Sequence, residues 1–196
     1  AGRLYFSTDG GETWERPLLG IAPNAIVHDF YEYNGRLYVA TVGDGVWRLG
    51  DSPYKWEKLG TTGLTNQNVW ALAGSGNNFY AGTEGGVFLS TDGGATWTAR
   101  STGMTYSVIQ ALAIDGGKIY AGTQQGTSTT NEVWVSEDNA LTWKKLGNGI
   151  ATDFPANFAN RIYEMAAVGG KLFAVGTTGV LMHDGTKWNT VYAGPN

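Results

Sequence analysis

Five tryptophans recur at intervals of 41 to 46 residues, and each closes a short segment that contains an aspartate. Two of these segments are almost identical, STDGGETW at residues 7–14 and STDGGATW at residues 90–97. SEDNALTW (136–143) is a diverged copy, MHDGTKW (182–188) is a shortened one, and GDSPYKW (50–56) is the weakest. A period of about 40–45 residues indicates an array of similar supersecondary units that bury a core only by stacking.

A second block of similar sequence precedes each later segment. It begins as GRLYVAT at Gly35, NNFYAGT at Asn77, GKIYAGT at Gly117 and GKLFAVGT at Gly170. With the apolar run before this block, the GVWRL-like run after it and the run from the tryptophan, each unit predicts four short strands, which we letter A to D. No stretch has the apolar spacing of a helix. Four strands in every unit of about 40–45 residues are typical of a β-propeller blade.

The pattern S-x-D-x-G-x-T-W resembles the Asp-box, or BNR, repeat, and the resemblance covers nearly the whole chain. The two complete copies are Ser7, Asp9, Gly11, Thr13 and Trp14, and Ser90, Asp92, Gly94, Thr96 and Trp97. The third copy has Ala140 in place of the glycine. Such repeats occur in sialidases, sortilin-type receptors, xyloglucan-degrading enzymes and photosystem assembly factors. The resemblance implies an all-β propeller of about five Asp-box blades, four of them four-stranded and one an N-terminal half blade.

The repeated box has a folding role in each of its parts. Its aspartate can accept hydrogen bonds from backbone N–H groups a few residues on, and its glycines allow left-handed backbone angles in a tight turn. Its tryptophan can bury a large ring against the next sheet. One aspartate per loop is too few ligands for calcium, and a catalytic aspartate repeated around a ring has no chemical sense. We therefore expect no metal and no catalytic residue, and a structural role for Asp9, Trp14, Asp92, Trp97, Asp138, Trp143, Asp184 and Trp188.

The units predict one propeller domain over residues 1–196. Their approximate bounds are 1–19, 25–60, 67–102, 107–148 and 161–193. The first unit supplies only strands C and D, which leaves three explanations open: a piece of a longer chain, a small ring with one two-stranded blade, or edges that pair with another copy. Because VYAG (191–194) resembles FYAG (79–82), a further hypothesis is that the tail pairs beside the N-terminal GRLYFS.

One end of the blades carries the D–A connections and the B–C turns, and it is the expected binding face. Two of its loops are enlarged, at residues 123–132 and 147–160, and long polar loops on a rigid scaffold often carry recognition. Aligning the A strands gives two columns near the axis. They provide the candidate ligand-binding residues His28, Trp70, Gln110 and Tyr163, and beside them Asp29 and Glu164. The alternative is that these side chains only fill the channel. The next column, Phe30, Leu72, Leu112 and Met165, is expected to be core.

Composition excludes several classes of function. The net charge of -4 and the absence of Lys/Arg runs argue against a nucleic-acid partner. No apolar run is long enough for a membrane span. With no cysteine in 196 residues, disulfides and thiolate chemistry are impossible. No cofactor motif is present. The compartment is not determined, and the resemblance favours an extracellular or cell-surface setting.

Three functional hypotheses remain. The first is a non-catalytic module that binds carbohydrate or a protein partner on the loop face. The second is a fragment or accessory part of a glycoside hydrolase, for which Asp29 and Glu164 are the carboxylate pair to expect. A sialidase is disfavoured because no motif brings three arginines together. The third is an assembly-factor scaffold, with a homo-oligomer formed through the incomplete blade. We expect the first, without enzymatic activity.

Overall fold

The computed structural model describes residues 4–16, 20–21, 25–51, 55–105, 107–124, 132–146, 162–176 and 179–193. Within these ranges every regular element is a β-strand, and the strands form four antiparallel four-stranded sheets. Each sheet is built from four consecutive strands in sequence order. We call these sheets blades 1 to 4. The predicted all-β propeller architecture is confirmed.

The strands follow the repeat closely. Blade 1 contains β1 (Ile26–Tyr33), β2 (Arg36–Val42), β3 (Gly45–Leu49) and β4 (Trp56–Lys58). Blade 2 contains β5 (Val69–Ser75), β6 (Asn78–Thr83), β7 (Gly86–Ser90) and β8 (Thr98–Ala99). Blade 3 contains β9 (Ile109–Asp115), β10 (Lys118–Thr123), β11 (Glu132–Ser136) and β12 (Lys144–Lys145). Blade 4 contains β13 (Ile162–Val168), β14 (Lys171–Gly176), β15 (Gly179–His183) and β16 (Trp188–Ala193).

The core lies between successive blades, where a large side chain of one blade fills the space left by a glycine of its neighbour. A Cβ on Gly82 of blade 2 would come within 2.7 Å of Ile109 in blade 3, and one on Gly122 within 3.1 Å of Ile162 in blade 4. Both isoleucines are fully buried. Since packed interiors tolerate little change in volume, these pairs fix how closely one blade approaches the next.

Each complete Asp box folds as a hydrogen-bonded corner. In the second blade, Asp92 Oδ1 accepts from the Thr96 backbone N–H at 2.9 Å, and Ser90 Oγ accepts from Gly94 N–H at 2.8 Å. The same bonds recur around Asp9 and Asp138. The glycines of the complete boxes adopt the expected positive φ angles, and Ala140 adopts φ 63° in the third box.

The box tryptophans join each blade to the preceding one. Trp97 Nε1 donates to Gly60 O at 3.0 Å, and Trp143 Nε1 donates to Arg100 O at 2.8 Å. Their rings are buried in the cores that the two blades share. These rings pack on the preceding blade, so the expectation that they pack on the next sheet is wrong. The box makes its blade's turn and also docks that blade on its predecessor.

The N-terminal hairpin forms only part of a blade. Phe6 and Glu15 exchange two backbone hydrogen bonds of 2.9 Å, and Leu4 packs against the core of blade 1. Trp14 is 61% exposed, and its indole N–H donates to Gly11 of its own turn, since the described residues include no preceding sheet that could receive it. We call residues 4–16 the half blade.

The pairing of the tail with the N-terminal segment stays a hypothesis, because residues 1–3 and 194–196 lie outside the described ranges. Val191–Ala193 belong to β16, which pairs with β15 as the outer strand of blade 4. Gly194 lies outside the described ranges.

Replacing the box tryptophan in blade 2 and in the half blade tests whether this residue docks one blade on the preceding one. We expect Trp97→Ala to lower the free energy of unfolding by about 3–5 kcal/mol, because a buried ring and its hydrogen bond are lost. The matched Trp14→Ala change should cost less than about 1 kcal/mol, because that ring is already largely in solvent. Urea unfolding of both variants measures the difference. Equal costs would show that the box tryptophan acts only within its own turn.

Candidate functional site

A β-bulge interrupts the innermost strand of every blade at the same position. The pairing of β1 with β2 skips one residue between Val27 and Asp29, so that His28 is the extra residue. The corresponding skips in β5, β9 and β13 leave Trp70, Gln110 and Tyr163 as the extra residues. Bulges re-aim side chains and are frequent beside binding and catalytic sites. All four predicted residues therefore lie at a β-bulge, a backbone feature that the sequence alone did not predict.

The four innermost strands curve around a common axis. Trp70 on β5 lies next to His28 on β1, with the ring centroids 4.6 Å apart in an edge-to-face contact. His28 Nδ1 is 2.9 Å from the carbonyl oxygen of Trp70. At the other end of the series, the charge of Glu164 on β13 acts on Asp29 of β1. Blades 1 and 4 therefore face each other across the axis, and we call the surface around the bulges the axial mouth.

Asp29 is a half-buried carboxyl that the fold makes weakly acidic. Burial raises its pKa to about 6, and the negative charge of Glu164 contributes to this rise. A hydrogen bond from the Leu72 backbone N–H to Asp29 Oδ2, 2.9 Å long, lowers the pKa of Asp29. A carboxyl whose burial outweighs its hydrogen bond is protonated over a part of the pH range in which ordinary aspartates are ionised.

Glu164 is the second carboxyl at the axial mouth. The protein atoms around it raise its pKa, while the Met165 backbone N–H, 3.2 Å from Oε1, and the charge of His28 lower it. Solvent still reaches the side chain, so that screening limits the effect and only its direction is meaningful. The charge of Glu164 thus acts on Asp29, and that of His28 acts on Glu164.

The aromatic and amide residues of the bulges differ in accessibility. Tyr163 is 45% exposed, whereas Gln110 is 3% exposed and offers little surface to a ligand. Trp70 is half-buried, and its Nε1 is a buried donor with no hydrogen-bond partner in the part of the chain that the structure describes. Tyr163, Trp70 and the two carboxyls are therefore the groups best placed to contact a ligand.

Two tyrosines outside the predicted set support this region. Tyr31 Oη accepts from Gly74 N–H at 2.9 Å and lies 3.2 Å from Gly74 O, and Tyr33 Oη donates to Gly76 O at 2.7 Å. Together with Asp29, they cover the backbone edge of β5. The signal for them is the occurrence of hydrogen-bonding side chains at alternate residues of β1, which places them on one face of the strand.

The core expectation for Phe30 is wrong. Its counterparts Leu72, Leu112 and Met165 are 2–5% exposed, each packed against the preceding blade, but Phe30 is 52% exposed. The reason is that the half blade supplies only two outer strands, so that no inner strands lie in front of Phe30 among the described residues.

The Asp boxes lie away from the axial mouth, and their aspartates are held as structural acceptors. Hydrogen bonds from the side chain and backbone of Thr96 and from Ser90 lower the pKa of Asp92 to about 2. Equivalent bonds lower the pKa of Asp138 to about 2 and also lower those of Asp9 and Asp184. Among the described residues, no three His, Asp or Glu side chains group as a metal site would require.

The predicted loop face is partly outside the described ranges. The B–C turn of blade 1 meets the D–A connection, since Gly43 N–H and Gly45 N–H donate to Gln67 O at 3.2 and 3.0 Å. Of the two enlarged loops, residues 125–131 and 147–160 are not described. No helix in the described part of the chain has the length and hydropathy to cross a membrane.

Residues 20–163 match the model of a known family, the DUF6242 beta propeller domain. The chain belongs to this family. The match begins after the half blade and ends at the bulge residue of β13. No curated protein matches the chain in sequence.

Solved structures of low sequence identity share the fold. An ancestral GH74 enzyme is 18% identical with a TM-score of 0.68, and the match covers 87% of this chain and 24% of that one. The extracellular domain of the hybrid two component system BT4673 from B. thetaiotaomicron is 12% identical with a TM-score of 0.66, covering 91% and 23%. YCF48 bound to D1 peptide is 15% identical with a TM-score of 0.63, covering 94% and 60%. This DUF6242 chain thus spans between about a quarter and three fifths of those proteins.

The raised pKa of Asp29 gives a pH-dependent stability prediction. Because its pKa is about 6 in the folded protein and 3.8 as a model value, the ionised form is disfavoured by folding. This cost is absent below pH 4, grows between pH 4 and 6, and is complete above pH 6. We expect Asp29→Asn to be more stable than the parent by about 1–2 kcal/mol at pH 7.5 and to have no advantage at pH 4.

Thermal unfolding at the two pH values checks this prediction, with Asp92→Asn as a control of opposite sign. Asp92 has a lowered pKa, so its ionised form stabilises the fold above about pH 4 and that contribution is lost as the pH falls towards 2. Asp92→Asn should therefore be less stable than the parent at pH 7.5. An Asp29→Asn variant that is also less stable at pH 7.5 would show that the bond from Leu72 outweighs burial.

Proposed function

We propose that this DUF6242 propeller is a non-catalytic recognition module that binds carbohydrate at the axial mouth. The observation that supports the proposal is the alignment of four β-bulges on the innermost strands, at His28, Trp70, Gln110 and Tyr163, beside the carboxyls of Asp29 and Glu164. Bulges at one position in four strands are a designed feature of a fold and often serve a site. Rigid inner strands hold side chains more precisely than loops do.

The chemistry of the mouth supports a polyhydroxyl ligand. An exposed tyrosine ring offers a flat apolar face, and a half-buried tryptophan lies on the same ring of residues. The carboxyls of Asp29 and Glu164 can accept hydrogen bonds from hydroxyl groups of a ligand. A small set of polar groups beside aromatic surface is the usual composition of a ligand site.

Glycoside hydrolysis is the second candidate, and one observation favours it. Asp29 has a pKa of about 6 and interacts across the axis with Glu164, whose pKa is also raised. A carboxyl that is still partly protonated near pH 6 can serve as a general acid while its partner acts as base or nucleophile. The fold neighbours do not decide between the candidates, since one is a GH74 enzyme and another, YCF48, is bound to a peptide.

A glycan array followed by calorimetry with the ligand found there tests the binding proposal. We expect Tyr163→Ala to weaken binding by about tenfold or more, because the loss of one stacked ring costs about 1–2 kcal/mol. Trp70→Ala should have a similar effect in protein whose circular dichroism confirms folding. The matched control is Tyr192→Ala, since Tyr192 is a 58% exposed tyrosine on the outer strand β16.

The outcomes separate the candidates. Sugar binding that survives both mouth variants would remove the axial mouth as the site, and the absence of any sugar ligand would favour a protein partner. Product formation on prolonged incubation with the bound glycan, abolished by Asp29→Asn and by Glu164→Gln, would establish hydrolysis in place of simple binding.

A further inference from the structure

At the Asp-box end of the molecule, the gap between two successive blades is filled by the box of the second one. Ala140 of the third box is fully buried in the core that blades 2 and 3 share, and a Cβ on Gly94 of the second box would clash with Leu59, which follows β4. The fourth box is shorter, with six residues from the end of strand C to its tryptophan (183–188) where the third has eight (136–143). It therefore fills less of the gap between blades 3 and 4.

A cleft of about 350 Å³ lies in this gap. Its floor is apolar and includes Tyr120 of blade 3 and Leu172 of blade 4, which are 7% and 1% exposed. Its rim is charged, since the side chains of Lys118, Lys144 and Glu137 are 50%, 66% and 47% exposed. The volume lies at the lower end of the range for small-molecule sites, and an apolar floor with a few polar groups is the usual composition of such sites.

One carboxylate bridges the two lysines at the rim of the cleft. Lys118 Nζ is 3.0 Å from Glu137 Oε1, and Lys144 Nζ is 2.7 Å from Glu137 Oε2. Glu137 thus shows that the two ammonium groups are spaced so that a single carboxylate can bind both. Because each ammonium group has three N–H donors, donors remain on both lysines for the carboxylate of a ligand.

A second carboxylate, that of Asp115, lines the cleft from the end of β9. Asp115 is the cross-strand partner of Lys118, and residues directly opposite each other in a sheet lie on one face. Its Oδ2 accepts from the Gly170 backbone N–H of blade 4 at 2.6 Å. Since a carboxylate has about four acceptor positions, Asp115 can also accept hydrogen bonds from an ammonium group of a ligand. The cleft therefore combines two lysines and two carboxylates with an apolar floor.

We propose that this cleft binds a free α-amino acid with an apolar side chain. The carboxylate of the amino acid binds between the ammonium groups of Lys118 and Lys144, and its ammonium group binds Asp115. Its side chain contacts the apolar floor at Tyr120. A zwitterion suits this set of charges, because a ligand with one charge only would leave either the lysines or the carboxylates without a partner of opposite sign.

The cleft and the axial mouth lie at opposite ends of the innermost strand of blade 3. The bulge of β9 is at Gln110, near the start of the strand, whereas Asp115 ends it. The inference is therefore independent of the ligand proposed for the axial mouth, and each can fail without the other.

Calorimetric titration of the chain with L-leucine tests the proposal, and two derivatives of this probe separate the roles of its charged groups. L-leucinamide keeps the ammonium group and lacks the carboxylate, whereas N-acetyl-L-leucine keeps the carboxylate and lacks the ammonium group. We expect saturable binding of L-leucine and a higher Tm of the chain in its presence. Each derivative should bind more weakly by about tenfold or more, because it loses one set of charge-assisted hydrogen bonds.

Variants of the rim assign the ligand groups to residues of the chain. Lys118→Met and Lys144→Met should each weaken L-leucine binding by about tenfold or more, since methionine keeps an apolar chain and removes the ammonium group. The matched control is Arg36→Met. Arg36 begins strand B of blade 1 as Lys118 begins strand B of blade 3, and it also forms an ion pair. This change should alter the affinity for L-leucine less than about twofold.

Asp115→Asn tests the site of the ammonium group, because an asparagine side-chain oxygen can still accept from Gly170 N–H. This variant should bind L-leucine more weakly by about tenfold or more and should bind N-acetyl-L-leucine within about twofold of the parent. Near-ultraviolet circular dichroism establishes that each variant is folded. Absence of saturable L-leucine binding, equal binding of L-leucine and either derivative, or binding that survives both lysine changes would overturn the proposal.

Discussion

The whole structure depends on the face-to-face packing of one four-stranded sheet on the next. Isoleucines at 109 and 162 fit over glycines at 82 and 122, and the box tryptophans at 97 and 143 reach back to carbonyl groups of the preceding blade. A sheet of this size has two apolar faces and is not stable alone. Each blade is therefore stabilised by the neighbours that cover it, and Trp14 and Phe30 are exposed where the described residues provide no such cover.

The same packing creates the axial mouth. Innermost strands that converge on an axis have a backbone edge with no further strand to pair with, and Asp29, Tyr31 and Tyr33 of β1 satisfy that edge on β5. The bulges place one extra residue per blade on these innermost strands. Asp29 accepts the hydrogen bond from this edge. Because burial raises its pKa, its ionised form destabilises the folded protein above pH 6. Structural acceptors such as Asp92 differ from Asp29 in this respect, because their hydrogen bonds lower their pKa values.

Much of this architecture could be predicted from local pattern. The strand bounds of blade 1, the box turns and the residues that share each column all follow from alternation, glycine placement and the repeat period. The bulges could not be found in this way, because a bulge is a relation between two strands and has no residue type of its own at positions 28, 70, 110 and 163. The exposure of Phe30 and Trp14 could not be predicted from the repeat pattern either. Both residues obey the repeat. They differ from their buried counterparts because, among the described residues, no sheet precedes Trp14 and no inner strands of the half blade lie in front of Phe30.

The most direct measurement of the central claim, that the four blades curve around one axis, is the pKa of the Asp29 carboxyl by NMR in the parent and in Glu164→Gln. In a linear stack, blades 1 and 4 would be about 30 Å apart, since packed sheets are spaced by about 10 Å. Screening at ordinary salt would then remove any interaction. In the curved arrangement the charge of Glu164 raises the pKa of Asp29, so that Glu164→Gln should lower it. An unchanged pKa would contradict the convergence of the blades and, with it, the axial mouth.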